Sequence, residues 1–146
     1  MRNVVYYLSV LFCLALSIRS SAQTAVDNGP DILFEAKSIN YGDVLYKADS
    51  TYVYRFIYEN TGSAPLIVNK VVGHCPCVTI GFSTEPLPAG GRDTVTVYFK
   101  PVHASKYTQR ITVFNNSSHS VVTLFAKANF LKASDPNLNA KPDQDE

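Results

Sequence analysis

The sequence predicts an all-β domain, a sandwich of two stacked antiparallel sheets with about seven short strands. Apolar and polar residues alternate with a period of two in several segments between residues 31 and 131, as expected for strands with one buried face. Turn-forming residues separate these segments, and none carries the apolar stripe of a helix. The chain has no tryptophan and no widely separated cysteine pair within this region. We therefore expect an immunoglobulin-like sandwich without the buried tryptophan and inter-sheet disulfide of antibody domains.

Seven segments fit the strand pattern in chain order. They are Ile32–Glu35, Ile39–Leu45 (interrupted by Gly42), Thr51–Glu59, Pro65–Val72, Thr94–Phe99, Tyr107–Phe114 and Val121–Phe130. The clearest turns between them are Asn60–Ser63, Pro86–Gly91 and Asn115–Ser118. No internal repeat is visible, so one domain is expected.

The third segment, TYVYRFIYE, carries a row of aromatic residues on one face. Tyr52, Tyr54, Phe56 and Tyr58 share that face, because alternate side chains of a strand point to opposite sides. An exposed row of this kind would stack on sugars or bases. Alternation with polar residues is more typical of a buried sheet face, so we expect these rings in the core.

Residues 1–22 match the three-part pattern of a secretory signal peptide. Arg2 supplies the positive start, Val4–Ile18 is almost wholly apolar, and Ser20–Ala22 is a small-residue cleavage signature. The apolar run of about 15 residues is shorter than the roughly 20 that a membrane-spanning helix needs. A retained membrane anchor is the less favoured alternative. We expect export to the periplasm or the extracellular space.

Attachment of a lipid at Cys13 is not favoured, because Phe12 precedes it where a small residue would be needed. Removal of residues 1–22 from the 146-residue chain would leave 124 residues and only two cysteines. The formal net charge would fall from +1 to −1, since Arg2 and Arg19 would leave. A near-neutral surface offers no electrostatic footprint for nucleic acid or anionic lipid.

The remaining chain divides into three parts. Residues 23–30 are small, polar and turn-rich, and predict a flexible lead-in. Residues 31–131 hold all the strand patterns and form the predicted domain. Residues 132–146 contain no aromatic and no β-branched residue, and we expect a disordered polar tail because they cannot bury enough apolar surface.

A series of residues spread over the domain resembles a known bacterial family. The series comprises Phe56, Tyr58, Asn60, Thr61, Gly62, Pro65, Leu66, Cys75, Cys77, Thr79, Pro88, Gly90 and Gly91, a Val-x-Val-x-Phe strand and a final Leu-x-Ala-x-Ala-x-Phe strand. Over roughly Ile32 to Phe130 it resembles the family catalogued as domain of unknown function number 1573. The resemblance implies a secreted or lipid-anchored protein related to the immunoglobulin-like modules of the major-sperm-protein and PapD type. It implies no established activity.

Two positions depart from the pattern of that family. Its members usually carry Ser-Cys-Gly-Cys-Thr, whereas this chain reads His74-Cys75-Pro76-Cys77-Val78-Thr79. The last strand carries Ala128 where the family usually has glycine.

The two remaining cysteines lie within GHCPCVTIG, residues 73–81. In an extended segment, Cα atoms two residues apart are about 6.6–6.8 Å from each other, which is the outer limit for a disulfide. The segment must therefore kink to join Cys75 to Cys77. Pro76 fixes φ and lacks an N–H, which indicates a loop or a sheet edge and resists the kink that glycine would allow. A ring this short would contribute about 1.6 kcal/mol, a weak staple that is readily reduced.

Three roles of this segment stay open from the sequence. The favoured interpretation is that the cysteines pack or pair locally and do no chemistry. In the second, His74, Cys75 and Cys77 bind copper(I) or form part of a zinc site, although nothing brings His103 or His119 near to complete it. In the third, the cysteines exchange thiols and disulfides, with His74 lowering a thiol pKa.

No other constellation suggests chemistry. The sequence lacks motifs for nucleotide binding, zinc hydrolysis or a serine nucleophile. The domain carboxylates, Asp43, Asp49, Glu59, Glu85 and Asp93, are spread over separate turns and strands. We therefore expect no catalytic and no cofactor-binding residues.

Short modification patterns are also present. Asp49-Ser50-Thr51 and Asp93-Thr94-Val95 match a pattern that is glycosylated in some secreted bacterial proteins, and the sequence leaves their modification open. Asn115 and Asn116 open Asn-x-Ser sequons and are interpreted as turn residues first.

The sequence thus predicts an exported, non-enzymatic binding or scaffolding module of the bacterial cell envelope, with neither metal nor cofactor. Its partner would be another envelope protein, bound through strand edges or end loops. We expect no nucleic-acid partner and no membrane span after processing. The alternative is a periplasmic thiol-redox or copper-handling protein that acts through His74, Cys75 and Cys77.

Overall fold

The computed structural model describes residues 29–134, which form eight β-strands in two four-stranded sheets. In chain order the strands are β1 (Ile32–Phe34), β2 (Ser38–Leu45), β3 (Tyr52–Asn60), β4 (Val68–Gly73), β5 (Val78–Gly81), β6 (Arg92–Phe99), β7 (Lys106–Asn115) and β8 (Val121–Leu131). One sheet has the order β1-β3-β6-β5 and the other β2-β8-β7-β4. Within residues 29–134, no helix is long and apolar enough to cross a bilayer. The predicted signal peptide, the lead-in up to residue 28 and the tail from residue 135 lie outside the described residues.

The predicted β-sandwich is confirmed, and each of the seven expected strands has a counterpart. The largest shift is at β4, which begins at Val68 and not at Pro65. Leu66 lies outside that strand and forms an isolated β-bridge with Leu87. Each residue donates its N–H to the carbonyl of the other, with N···O distances of 2.9 and 2.8 Å. The strand that was not predicted is β5, whose four residues are too few to show a clear alternation.

One pair of strands is an exception to the expected antiparallel pairing. β2 and β8 run parallel, with Ser38 opposite Phe125 and Leu45 opposite Leu131. Parallel neighbours need a long connection, and here most of the domain lies between the two strands along the chain. Alternation identifies which residues share a face, but it carries no information about the direction of the neighbouring strand.

The core lies between the inner faces of the two sheets. Val95, Val97, Ile111, Val113 and Leu124 are completely buried there. The predicted aromatic row is confirmed as core, since Tyr54, Phe56 and Tyr58 are at most 2% exposed. Tyr52 is partly buried and its ring lies 4.6 Å from that of Phe130.

One end of the sandwich is held by a buried amide. Asn60 is fully buried and lies at the end of β3. Its Nδ2 donates to the carbonyl oxygens of Ala64 and Leu87, both at 2.9 Å. Its Oδ1 accepts from the N–H groups of Gly62 at 3.0 Å and Asp31 at 3.4 Å. One side chain therefore ties together three loops, and each of its polar groups has a partner.

Two further asparagines act in the same way on the other sheet. Asn115 Nδ2 donates to the His119 carbonyl at 3.0 Å, and its Oδ1 accepts from the Ser117 N–H at 2.8 Å. Asn116 reaches across to the Pro65 carbonyl at 3.1 Å. The interpretation of both residues as turn formers is supported by these bonds. We call the end that holds Asn60, Asn115 and Asn116 the asparagine end.

The four edge strands are short or bulged. β1 has three residues and β5 has four. β2 changes register between Asn40 and Asp43, where Gly42 has a φ of 65°. β4 changes register between Val68 and Lys70. These features discourage the addition of a further strand.

Candidate functional site

The two cysteines lie in a loop that crosses from one sheet to the other. Residues 74–77 join β4, the edge of one sheet, to β5, the edge of the other. The loop is bonded to both sheets, because Lys100 N–H donates to the Cys77 carbonyl at 3.0 Å and His74 N–H donates to the Arg110 carbonyl at 3.4 Å. We call this end of the sandwich, opposite the asparagine end, the cysteine end.

The kink that the disulfide requires takes the form of a β-turn. Val78 N–H donates to the Cys75 carbonyl at 3.2 Å, which makes Pro76 the second residue of the turn. Cys75 and Cys77 form a disulfide with their Cα atoms 5.1 Å apart. The expectation that Pro76 would resist this kink is wrong, because a turn needs φ near −60° at its second position, and proline supplies that value.

The backbone of the turn also contacts one of the two sulfurs. The N–H of Cys77 donates to Sγ of Cys75 at 3.1 Å. Cys75 and Cys77 are both half-buried, and Cys77 packs against the core. The two sulfurs therefore have different surroundings, although they are only two residues apart.

The ring of His74 is bonded to a side chain of the neighbouring strand. Its Nε2 is 3.0 Å from Oγ1 of Thr112, which lies on the outer face of β7. His103 contacts the ring of Tyr107, and His119 lies 3.6 Å from Asp31 near the asparagine end. In the part of the chain that the structure describes, no group of three or more His, Cys, Asp or Glu side chains is arranged to hold a metal ion. Copper binding through His74 and the cysteines stays a prediction.

An open groove lies beside the disulfide at the cysteine end. Its volume is about 950 Å³ and its lining is mainly apolar. The lining comes from four separate parts of the chain and includes the disulfide loop together with Tyr46, Tyr98, Pro101, Val102 and Tyr107. We call it the cysteine-end groove.

The polar groups of this lining are largely engaged within the protein. Its two charged side chains pair with each other, because Lys100 Nζ lies 2.9 Å from Asp49 Oδ1. That hydrogen bond and the positive charge lower the pKa of Asp49. Tyr46 donates its hydroxyl to the Val102 carbonyl at 3.1 Å. The exposed apolar surface includes Val102, which is 69% exposed, and Tyr98, which is 43% exposed.

Sequence reasoning missed the groove, and no local pattern could have revealed it. Tyr98 belongs to the outer face of β6 and Val102 to the following loop, and neither has a motif around it. Pro76 indicated a loop or a sheet edge for the two cysteines, and both lie in a loop.

The other candidate residues do not converge. Ser50 lies in the turn between β2 and β3 next to Asp49, which has a positive φ of 62°. Thr94 lies within β6 opposite Ile57. Asp43 accepts from Asn129 at 2.8 Å.

Comparison with solved structures places the chain among sandwich domains of low sequence identity. It matches a protein of unknown function from Porphyromonas gingivalis W83 with a TM-score of 0.60 and 15% identity, over 69% of this chain and 47% of that one. It therefore spans about half of that protein. It matches the ASH/PapD-like domain of human CEP192 with a TM-score of 0.59 and 13% identity, over 73% of this chain and 89% of that one.

A third similar structure is the secreted serine protease VesC from Vibrio cholerae, with a TM-score of 0.57 and 14% identity over 75% of this chain and 25% of that one. Identities this low concern the fold alone. No protein with a curated description matches the sequence significantly.

The fold expected for this chain is shared with the PapD-like domain of CEP192. The family itself is shown by the sequence, since residues 32–130 match the family described as "Protein of unknown function (DUF1573)". That range covers more than half of the chain and coincides with β1 to β8, so the chain belongs to the DUF1573 family.

Proposed function

We propose that this protein is an exported, non-enzymatic binding or scaffolding module, and that its cysteine-end groove holds an apolar, aromatic-rich segment of another cell-envelope protein. The observation that carries the proposal is the groove itself, an exposed apolar surface at one end of a rigid sandwich. Binding residues are commonly found on loops that a rigid scaffold positions.

The chemistry of the lining favours an apolar polypeptide over a charged ligand. Tyr46, Tyr98 and Tyr107 offer ring surface, and Pro101 and Val102 add aliphatic surface. Aromatic residues are enriched where proteins bind one another, and aromatic-lined grooves bind proline-rich and apolar segments. Since Asp49 and Lys100 pair with each other, no unpaired charge of the lining calls for a charged partner.

End loops are better supported than strand edges as the contact surface. Both contact modes follow from the sandwich architecture, but each edge strand of the described domain is short or bulged. Such edges resist pairing with an added strand. The loops of the cysteine end carry no such obstacle, and a partner can approach Val102 directly.

Export rests on the composition of residues 1–22, whose charged start, apolar run and small-residue end form the signal-peptide pattern. Mass spectrometry of the protein from its native host tests this part. We expect a chain that begins at Gln23 and fractionates with the periplasm or the medium. A chain that retains residues 1–22 would contradict export by cleavage.

Peptide selection tests the groove. A phage-displayed library panned on residues 23–146 should enrich segments rich in aromatic residues and proline. Val102→Asp should weaken their binding at least about 10-fold, because it places a charge on the apolar surface. Val121→Asp is the matched control, since Val121 is 54% exposed at the asparagine end. Equal binding by both variants would overturn the proposal, as would enrichment of acidic or basic peptides.

A further inference from the structure

The disulfide lies in the wall of the cysteine-end groove, where a bound segment would touch it. We propose that Cys75–Cys77 is a covalent latch: a cysteine thiol in the bound polypeptide exchanges with the disulfide and joins the partner to Cys77. This inference rests on the proposed function, because the same groove would hold the partner.

The loop does not depend on the disulfide for its position. Its backbone is bonded to β7 through His74 N–H and to the end of β6 through the Cys77 carbonyl. The turn is closed by the bond from Val78 N–H to the Cys75 carbonyl. A disulfide ring that spans three residues constrains the unfolded chain little. The S–S bond can therefore open while the groove keeps its shape.

The contact between the turn and one sulfur fixes the direction of exchange. Cys77 N–H donates to Sγ of Cys75 at 3.1 Å. A hydrogen bond to a thiolate stabilises it and lowers the pKa of the thiol, which makes that sulfur the better leaving group. Cys75 is thus the leaving sulfur, and Sγ of Cys77 is the atom attacked.

The exchange needs no outside oxidant or reductant, because one disulfide and one thiol are converted into another disulfide and another thiol. The partner thiol loses its proton to solvent, and its thiolate attacks Sγ of Cys77. One S–S bond forms between the partner and Cys77, the Cys75–Cys77 bond breaks, and Cys75 leaves as a thiolate. When Cys75 attacks Cys77 in return, the ring closes and the partner thiolate is released. The latch is therefore reversible.

The occupant of this site is a polypeptide cysteine with apolar neighbours rather than a small charged thiol. Tyr98 and Val102 offer apolar contact beside the disulfide, while Lys100 is engaged by Asp49. A charged tripeptide thiol such as glutathione would find no unpaired charge in the lining. In this proposal the ring of His74 stays bonded to Thr112 and takes no part in the exchange.

A probe peptide tests the latch directly. The oxidised protein, residues 23–146, is incubated with a synthetic peptide in which one cysteine is flanked by tyrosine and proline, and separately with the same concentration of glutathione. Acid-quenched samples are alkylated, digested and mapped by mass spectrometry. We expect the peptide to be joined to Cys77 with Cys75 alkylated, and the peptide adduct to exceed the glutathione adduct several-fold. Adducts mainly on Cys75, or equal adducts from both thiols, would overturn the proposal.

Single-cysteine variants test the asymmetry of the sulfurs independently. Cys77→Ser keeps Cys75 and Cys75→Ser keeps Cys77, so the two form a matched pair. At pH 7 the retained Cys75 should be alkylated several-fold faster than the retained Cys77, because a hydrogen bond raises the thiolate fraction by more than it lowers the nucleophilicity of the thiolate. His74→Ala in the Cys77→Ser background should leave the rate unchanged. Equal rates in variants with native-like melting curves would contradict the assignment.

Failure of the latch and failure of the groove are distinguishable. If Cys75→Ser/Cys77→Ser still binds the selected apolar peptides while the native protein forms no mixed disulfide, the latch is wrong and the binding function stands. If Val102→Asp leaves both peptide binding and the peptide preference over glutathione unchanged, the groove is wrong as well.

Discussion

The two ends of the sandwich are built by opposite means. At the asparagine end, fully buried Asn60 satisfies four backbone groups, and Asn116 fixes the chain of the opposite sheet. At the cysteine end, apolar side chains such as Val102 are exposed, and the loop carries a small disulfide ring. A buried polar network holds one geometry because each lost hydrogen bond is costly.

An exposed apolar groove adds little to the stability of the fold, so its surface is available for binding. We therefore expect the asparagine end to contribute more to stability, and we propose the cysteine end as the binding surface.

The largest effect should come from removing the buried amide. Asn60→Ala leaves the Ala64 carbonyl and the N–H groups of Gly62 and Asp31 without this partner, while the Leu87 carbonyl keeps its bond from Leu66 N–H. We expect a loss of about 3 kcal/mol in the free energy of unfolding, measured by urea denaturation. Asn40→Ala is the control, because Asn40 is exposed and its Oδ1 accepts from the nearby Gly42 N–H at 3.1 Å. A loss no greater than that of the control would remove the structural role of the asparagine end.

The disulfide should matter less to stability than this single amide. Cys75→Ser/Cys77→Ser is expected to lower the free energy of unfolding by at most about 1.6 kcal/mol, the loop-entropy value for so short a ring. Urea denaturation of the oxidised protein and the double variant measures the difference. A loss larger than that of Asn60→Ala would reverse the comparison and make the cysteine end the structural one.

Tyr54, which belongs to neither the asparagine network nor the cysteine-end groove, provides a reference for both ends. Burial, and to a lesser degree Tyr41 and Tyr52, raises the pKa of Tyr54 to about 12, and its hydroxyl donates to the Lys127 carbonyl at 3.2 Å. The unfolded chain loses this proton near pH 10 and the folded protein does not, so stability should fall as pH rises from about 10 to about 12.

Tyr54→Phe should lower stability at pH 7 by about 1 kcal/mol, through the lost hydrogen bond. The variant should also lose less stability as the pH rises. Thermal melts between about pH 9 and about pH 12 measure this, because that range spans the pKa values of the free and the buried tyrosine. An unchanged pH profile would show that other groups govern alkaline unfolding.

The smallest stability effects are expected at the exposed valines. Val102→Asp and Val121→Asp should each change the free energy of unfolding by no more than about 0.5 kcal/mol, because both side chains are more than half exposed. Thermal melts of the two variants measure this. A large loss of stability for Val102→Asp alone would mean that the groove contributes to the fold. A weaker binding of peptides by that variant would then reflect unfolding and not a lost contact.

Much of the fold could be predicted from local pattern. Tyr54, Phe56 and Tyr58 were assigned to the core because they share one strand face, and they are buried. Asn60 was assigned to a turn, but its complete burial and its contacts with Asp31 and Leu87 could not be predicted. Those partners lie 29 and 27 residues away in the chain, and no local pattern connects them.

The candidate site shows the same division. The sequence identified Cys75 and Cys77, and it predicts that a ring between them contributes little to stability. It misjudged Pro76, because the effect of proline depends on its position within a turn, and that position is set by the hydrogen bond from Val78 to Cys75.

The sequence by itself determined the β class, the buried faces and the turns, because these depend on residues one or two positions apart. Only the tertiary structure decided the parallel pairing of β2 with β8, the network around Asn60 and the cysteine-end groove. Tyr46, Tyr98 and Val102 become neighbours when the two sheets stack and three loops meet at one end. Their contact is a property of the packed chain, since no spacing along the sequence encodes which loops will share that end.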